Sequence, residues 1–124
     1  MQLNINAFEQ LIEFSKELPA VQGHFEGRPI VPGVTLLASV LRAIYSAYPQ
    51  FEGKAHEVVS AKFLFPVEPE ASLVIRCTPK VLLLKPEQTQ CQIEFSFDCL
   101  LKKNLGTAVG INTTALKGAI RFAA

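Results

Sequence analysis

Between Val34 and Tyr48 the chain carries a segment of helical length that is apolar on nearly every side. A helix of that kind must be buried, so the rest of the chain has to supply its cover. The remaining segments read mostly as strands. The first is expected over about 10–17, before Pro19 breaks the run. Val58 to Phe65 ends at Pro66, and Ser72 to Cys77 continues past Pro79 through Leu84. From Gln90 to Leu101, Gln92, Glu94, Ser96 and Asp98 alternate with Cys91, Ile93, Phe95, Phe97 and Cys99, a period of two with one buried and one wet face. A last strand includes Leu116 to Phe122. The order of strand, helix and long antiparallel strands predicts an α+β fold. In it a strongly curved antiparallel sheet wraps around one long buried helix. If the sheet leaves one side of the helix uncovered, a second copy of the chain has to cover it, so burial favours a homodimer, with a monomer, a higher oligomer and a hetero-oligomer as the alternatives.

The 124 residues are read as one domain over 1–124. With 12 basic and 11 acidic residues the formal charge is +1, against the strong basic excess of a nucleic-acid binder. No window reaches the ~18 uninterrupted apolar residues of a membrane span. Met1 to Asn6 has neither the basic nor the apolar region of a signal peptide. Cys77, Cys91 and Cys99 are odd in number and form no CxxC unit. Free, mostly buried thiols in a reducing cytoplasm are therefore expected. Two histidines without clustered carboxylates make no metal-ligand set, so no metal is expected.

Just before the helix stands Gly23-His24-Phe25-Glu26-Gly27-Arg28-Pro29-Ile30-Val31-Pro32-Gly33. Pro29 and Pro32 each fix a φ angle, and Gly23, Gly27 and Gly33 permit turns that other residues resist. The loop would hold the His24 imidazole beside the start of the helix. Free backbone N–H groups there can polarise a carbonyl. From the residues alone, two readings stand: a site built on His24, or a tight turn with a hydrogen-bonded structural histidine. His56, which matches no motif, reads as a surface residue at the start of a strand.

The stretch Gly23 to Val34 resembles the GHFPGxPxxPGV signature of the 3-hydroxyacyl-[acyl carrier protein] dehydratases of FabZ/FabA type, whose fold is the hotdog. Glu26 alone departs within it, where the family usually has Pro. Ala61-Lys62-Phe63-Leu64-Phe65-Pro66-Val67 is similar to the family's strand with K-F-x-x-P-V, and Lys117-Gly118-Ala119-Ile120-Arg121-Phe122 to its closing strand. The short N-terminal region is more similar to the compact relatives of aryl-polyene and polyketide-type pathways, the ApeI-like branch.

The resemblance implies dehydration of a (3R)-3-hydroxyacyl thioester, presented on the phosphopantetheine of an acyl carrier protein, to the trans-2-enoyl thioester. No dissociable cofactor is implied. His24 matches the family's catalytic histidine, suited to proton transfer near neutral pH. Gly33 matches the residue whose N–H holds the thioester oxygen. Phe25, Pro32, Val34, Leu37, Ala38, Phe63 and Phe65 are expected against the acyl thioester. Arg28, Arg42, Lys54, Lys62, Lys102 and Lys103 are candidates for docking an acidic carrier protein.

One position departs from the family. The helix Glu or Asp expected five residues after Gly33 is Ala38, with no carboxylate in Leu36, Leu37, Ser39 or Val40. Glu26, two residues from His24 and on the same side of an extended chain, is the candidate acid in its place. Alternatively, His24 alone shuttles the proton, helped by water and Ser39 or Thr35. Otherwise the chain binds acyl thioesters without dehydrating them, or hydrolyses them.

Overall fold

The computed structural model describes residues 6–14, 30–69, 71–82, 92–103 and 113–123. His24, Phe25, Glu26 and Arg28 lie outside the described residues, as does Cys91. Five strands and one long helix follow in the order β1 (Phe8–Glu13), α1 (Gly33–Ala47), β2 (His56–Phe63), β3 (Ser72–Leu82), β4 (Gln92–Lys103) and β5 (Thr113–Ala123). A short 3-10 helix, Pro49–Phe51, follows α1. The strands form one antiparallel sheet in the order β1-β3-β4-β5-β2. The expected α+β architecture is therefore present: an antiparallel sheet with one long helix packed on it.

Two prolines set the bounds of α1. Pro32 is extended, with φ −60° and ψ 148°, and stands as the residue before the first turn. At the other end Tyr48 precedes Pro49, which disfavours helical backbone there. The Tyr48 N–H closes the helix on the Ile44 carbonyl at 2.7 Å.

The side of α1 carrying Leu36, Val40, Ala43 and Ile44 is buried, at the 3.6-residue spacing of one helix face. Against it pack the inward residues of the central strands: Leu73, Ile75 and Cys77 of β3; Ile93, Phe95 and Phe97 of β4; Leu116, Ile120 and Phe122 of β5. Phe51, Phe95, Phe122 and Tyr48 form an aromatic cluster at the C-terminal end of α1, with Phe95 stacked on Tyr48 at 5.5 Å and edge-on to Phe51 at 5.4 Å. Each such ring removes some 150–250 Å² from water.

The outer face of the sheet is polar and carries cross-strand rows of charge. One row runs Glu9, Arg76, Asp98, Lys117, Lys62; another runs Lys80, Glu94, Arg121, Glu57. Arg76 and Asp98 form a two-pronged ion pair at 2.7 and 2.9 Å, and Arg121 donates to Glu94 at 3.0 Å.

Three expectations need correction. The first strand begins at Phe8 rather than about 10 and runs to Glu13, because Phe8 pairs with Cys77 and its ring packs edge-on to Tyr48 at 5.5 Å; the expected 15–17 lie outside the described residues. The strand expected from Val58 to Phe65 is His56–Phe63, because beyond Phe63 the N–H groups of Leu64 and Phe65 both turn to the Ala115 carbonyl. The helix is not buried all round within one chain: Val34 is 77% exposed, and Arg42, Ser46 and Ala47 face solvent.

Candidate active site

The site is assembled where two distant segments meet at the start of α1. The Val31 N–H donates to the Val67 carbonyl at 2.7 Å, tying the segment before the helix to the one after β2. Val31 and Val67 are both buried, so this bond is sheltered from competing water. From the end of β2, the Phe63 ring lies against Gly33: a Cβ built there would stand 2.8 to 3.2 Å from three of its ring carbons. Gly33 and Phe63 are thus brought together. Val34 and Ala38 follow on the first turns of the helix.

The helix start is open. The N–H groups of Thr35 and Leu36 already bond the Pro32 carbonyl, at 3.0 and 3.2 Å. Those of Gly33 and Val34 have no partner among the described residues. Pro32 offers no side-chain cap, and no acidic residue lies in the first turn. Among the described residues nothing compensates the positive end of the helix dipole, and two amide donors are left without a partner. Such an end can hold a thioester oxygen on which charge develops.

Gly33 is not needed for a special backbone angle, since it lies outside the left-handed region; among the described glycines only Gly53 is there, with φ 86°. The requirement at Gly33 is space, because a side chain would meet the Phe63 ring and stand over the N–H donors.

Ala38 sits about 7.5 Å along the helix axis from Gly33, at 1.5 Å per residue. It shares a line with Val34, Leu41 and Tyr45, on the side turned away from the face buried by Leu36, Val40 and Ile44. Leu37, Leu41 and Tyr45 are half-buried against the edge of the core. The Ser39 hydroxyl donates to the Thr35 carbonyl at 2.9 Å, so it serves the helix backbone in this structure.

Phe63 is 53% and Leu64 52% exposed, so this end of the molecule presents an apolar surface. Phe65 is half-buried against the core. Phe95 and Phe97 are buried core residues. His56 is exposed, with its ring 5.5 Å from Phe122, at the opposite end of β2 from the site. A groove of about 390 Å³, lined by Phe8, Glu9, Arg76, Cys77, Ser96 and Asp98 among others, shares no residue with the candidate site.

The buried thiols are chemically quiet. Burial first, then the neighbouring Asp98 charge, raises Cys77 to about 12. Cys99 is likewise raised to about 12, by burial and then by Cys77 and Asp98. Neither supplies a thiolate nucleophile near neutral pH. No helix among the described residues is long and apolar enough to cross a membrane.

Residues 2–105 match the family model described as ApeI-like, ApeI dehydratase. The chain belongs to the ApeI-like dehydratase family. Solved structures share its fold. The dehydratase heterocomplex ApeI:P from Xenorhabdus doucetiae is similar at 19% identity, with TM-score 0.63, over 96% of this chain and 88% of that one. An (R)-hydratase from A. caviae involved in PHA biosynthesis matches at 15% identity and TM-score 0.62, over 97% and 96%. An acyl-CoA hydrolase mutant from Staphylococcus aureus in complex with coenzyme A matches at 13% identity and TM-score 0.63, over 95% of this chain and 64% of that one. At these identities the likenesses concern the hotdog fold. No curated protein gives a significant match.

Proposed function

We propose that this ApeI-like family member dehydrates a (3R)-3-hydroxyacyl thioester carried on an acyl carrier protein. The observation that carries the reading is the open start of α1, where the Gly33 and Val34 N–H groups have no partner among the described residues. In this reading the thioester oxygen lies on the Gly33 N–H. His24 removes the proton from C2, and the electron pair of that C–H bond forms the C2–C3 double bond. The C3–O bond breaks, and the departing hydroxyl leaves as water with a proton from Glu26. Retention of the family loop from Gly23 to Gly33 supports the roles of His24 and Gly33, while Glu26 is the one departure within it and the carboxylate nearest His24 in the chain. Each positioned acid or base typically contributes ~10²–10⁴-fold, so Glu26 would stand in for the helix carboxylate that Ala38 replaces.

The test is turnover of a 3-hydroxyacyl-carrier-protein thioester, followed by the mass of the acyl product. Water loss should disappear with His24→Ala and fall by at least ~10²-fold with Glu26→Gln. Water loss at the parent rate in His24→Ala would overturn the reading. Ala38 favours a second reading, a subunit that binds acyl thioesters without dehydrating them. Its signature is substrate binding by a folded chain with no change in acyl mass. Release of free carrier thiol would instead mark hydrolysis.

A further inference from the structure

The helix start is one end of a longer feature. The α1 helix and the β2 strand run in opposite directions: Phe63, the last residue of β2, meets Gly33, the first of α1. At the far end Tyr45 of α1 meets Phe122 of β5 edge-on at 6.1 Å, and Phe122 pairs with His56, the first residue of β2. These two contacts fix how positions on the helix line up with positions on the strand.

Spacing supplies the levels between them. Axial rise puts Ala38 about 7.5 Å, Leu41 about 12 Å and Tyr45 about 18 Å from Gly33. On β2 the register shifts between Val58 and Ser60, so Val59 and Ser60 form a bulge that counts as one position. At about 3.3 Å per position, Ala61 then stands about 7 Å, Val58 about 13 Å and His56 about 20 Å from Phe63. The β5 partners of Phe63, Val58 and His56 are Leu116, Ile120 and Phe122, all in the core. Paired residues share a face, so this row of β2 lies on the helix side of the sheet. The levels match: Ala38 with Ala61, Leu41 with Val58, Tyr45 with His56.

At the level of Ala61 the strand curls toward the helix. A Cβ on Gly118, on the same side of the sheet, would stand 2.1 Å from the Ser60 carbonyl oxygen, so the β2 backbone rises over the face of β5 there. The strand is thus a wall beside the helix. Both walls are apolar and neither is fully closed: Leu41, Tyr45 and Ala61 are half-buried, Val58 is 39% exposed and Phe63 53%. With alanine at position 38, no charge interrupts the helix wall between Val34 and Tyr45 on this line. The far end carries three rings, Tyr45, Phe122 and His56, with His56 5.5 Å from Phe122. An apolar trough that begins at unpartnered amide donors and ends at rings suits an alkyl or alkenyl chain joined to an oxygen acceptor.

We propose that the acyl chain of the substrate lies in this trough, from Gly33 toward Tyr45, and that Tyr45, backed by Phe122 and His56, sets the longest chain accepted. The assignment rests on the thioester oxygen lying on the Gly33 N–H. Side chains on a helix lean toward its N-terminus, so the Tyr45 ring lies over the turn before its own Cα and leaves a run of about 13 Å. An extended chain advances about 1.1–1.2 Å per bond, which gives room for about twelve carbons counted from the carbonyl.

The test uses saturated acyl-carrier-protein thioesters of about six to eighteen carbons, which bind without reacting, beside turnover of the matching 3-hydroxyacyl thioesters. Affinity should rise roughly three- to tenfold for every two carbons up to about twelve carbons and then level off, with turnover falling beyond that length. Tyr45→Ala should move the limit out by roughly two to four carbons, and Leu41→Phe, a ring one turn earlier, should move it in by about four. Tyr45→Phe keeps the ring and the limit. A loosened fold lowers all chain lengths alike and does not move the limit. The proposal would be overturned by a parent that binds no chain or shows no limit, or by one limit shared by parent, Tyr45→Ala and Leu41→Phe. A limit seen in binding, with no water loss at any length, would uphold the trough and overturn the reaction.

Discussion

Gly118 provides the sharpest test of how β2 is held. It lies on β5, between Ala61 of β2 and Phe97 of β4. A methyl group there would stand 2.1 Å from the Ser60 carbonyl oxygen, 2.8 Å from its carbon and 3.0 Å from the Ala61 Cα. Ordinary contacts between such atoms are near 3.5 Å, so β2 would have to retreat by roughly 1 Å. All three obstructing atoms are backbone, and no rotamer change relieves the clash. Gly118→Ala should therefore cost about 3 kcal/mol, the upper end of the usual range for overpacking. For a chain of this length that is a fall in Tm of roughly 10–15 °C. Gly33→Ala is the control, since its obstruction is the Phe63 ring at 2.8 to 3.2 Å, a half-exposed side chain that can swing aside. Its stability change should stay within ~0.5 kcal/mol, while its methyl group stands over the N–H donors and turnover falls. Thermal melts of both variants decide the matter, with hydrogen exchange showing whether the β2 amides open before those of β3 and β4. Equal Tm values for the two variants would refute the close approach of β2 to β5.

Two further outcomes follow from the core. Phe95 is fully buried, stacked on Tyr48 and edge-on to both Phe51 and Phe122; Phe95→Ala should lose about 3–5 kcal/mol in denaturant unfolding. The thiols of Cys77 and Cys99 are held up to about 12 against an ordinary value of 9.0. Above pH 9.0 the unfolded chain releases protons that the folded chain keeps, so stability falls as pH rises from there toward 12. Each thiol contributes a slope of at most ~1.4 kcal/mol per pH unit. Denaturant titrations should show a shallower alkaline loss in the Cys77→Ala/Cys99→Ala variant, and both native thiols should resist alkylation at neutral pH.

The helix was legible in the sequence because its limits are local: Pro32 and Pro49 bracket it, and the expected end at Tyr48 lies one residue beyond the observed one. The central strands were legible from their period of two. The edge strands were placed less well, because tertiary contacts decide them. Phe8 joins β1 through Cys77 and Tyr48, and His56 joins β2 through its pairing with Phe122. At the candidate site the motif named Gly33 and Phe63, which stand against one another at the helix start. The bond that brings their segments together, from Val31 to Val67, joins residues far apart in the chain and has no local signature. The bulge at Val59–Ser60 was hidden for the same reason: it shows only in the register of β2 against β5.

These observations make β2 the element that ties the sheet to the helix start. Its last residue, Phe63, covers Gly33; its middle is pressed against Gly118; its outer edge is open. A shift of β2 therefore moves the ring that lies against Gly33. Ala38 fits the same geometry. It lies on the line of Val34, Leu41 and Tyr45, and Tyr45 meets Phe122 of β5, the strand beside β2, at 6.1 Å. With alanine in place of a carboxylate this line is apolar from Val34 to Tyr45, and its exposed end is Val34. Among the described residues, the helix is covered by its own sheet on the side of Leu36, Val40 and Ile44.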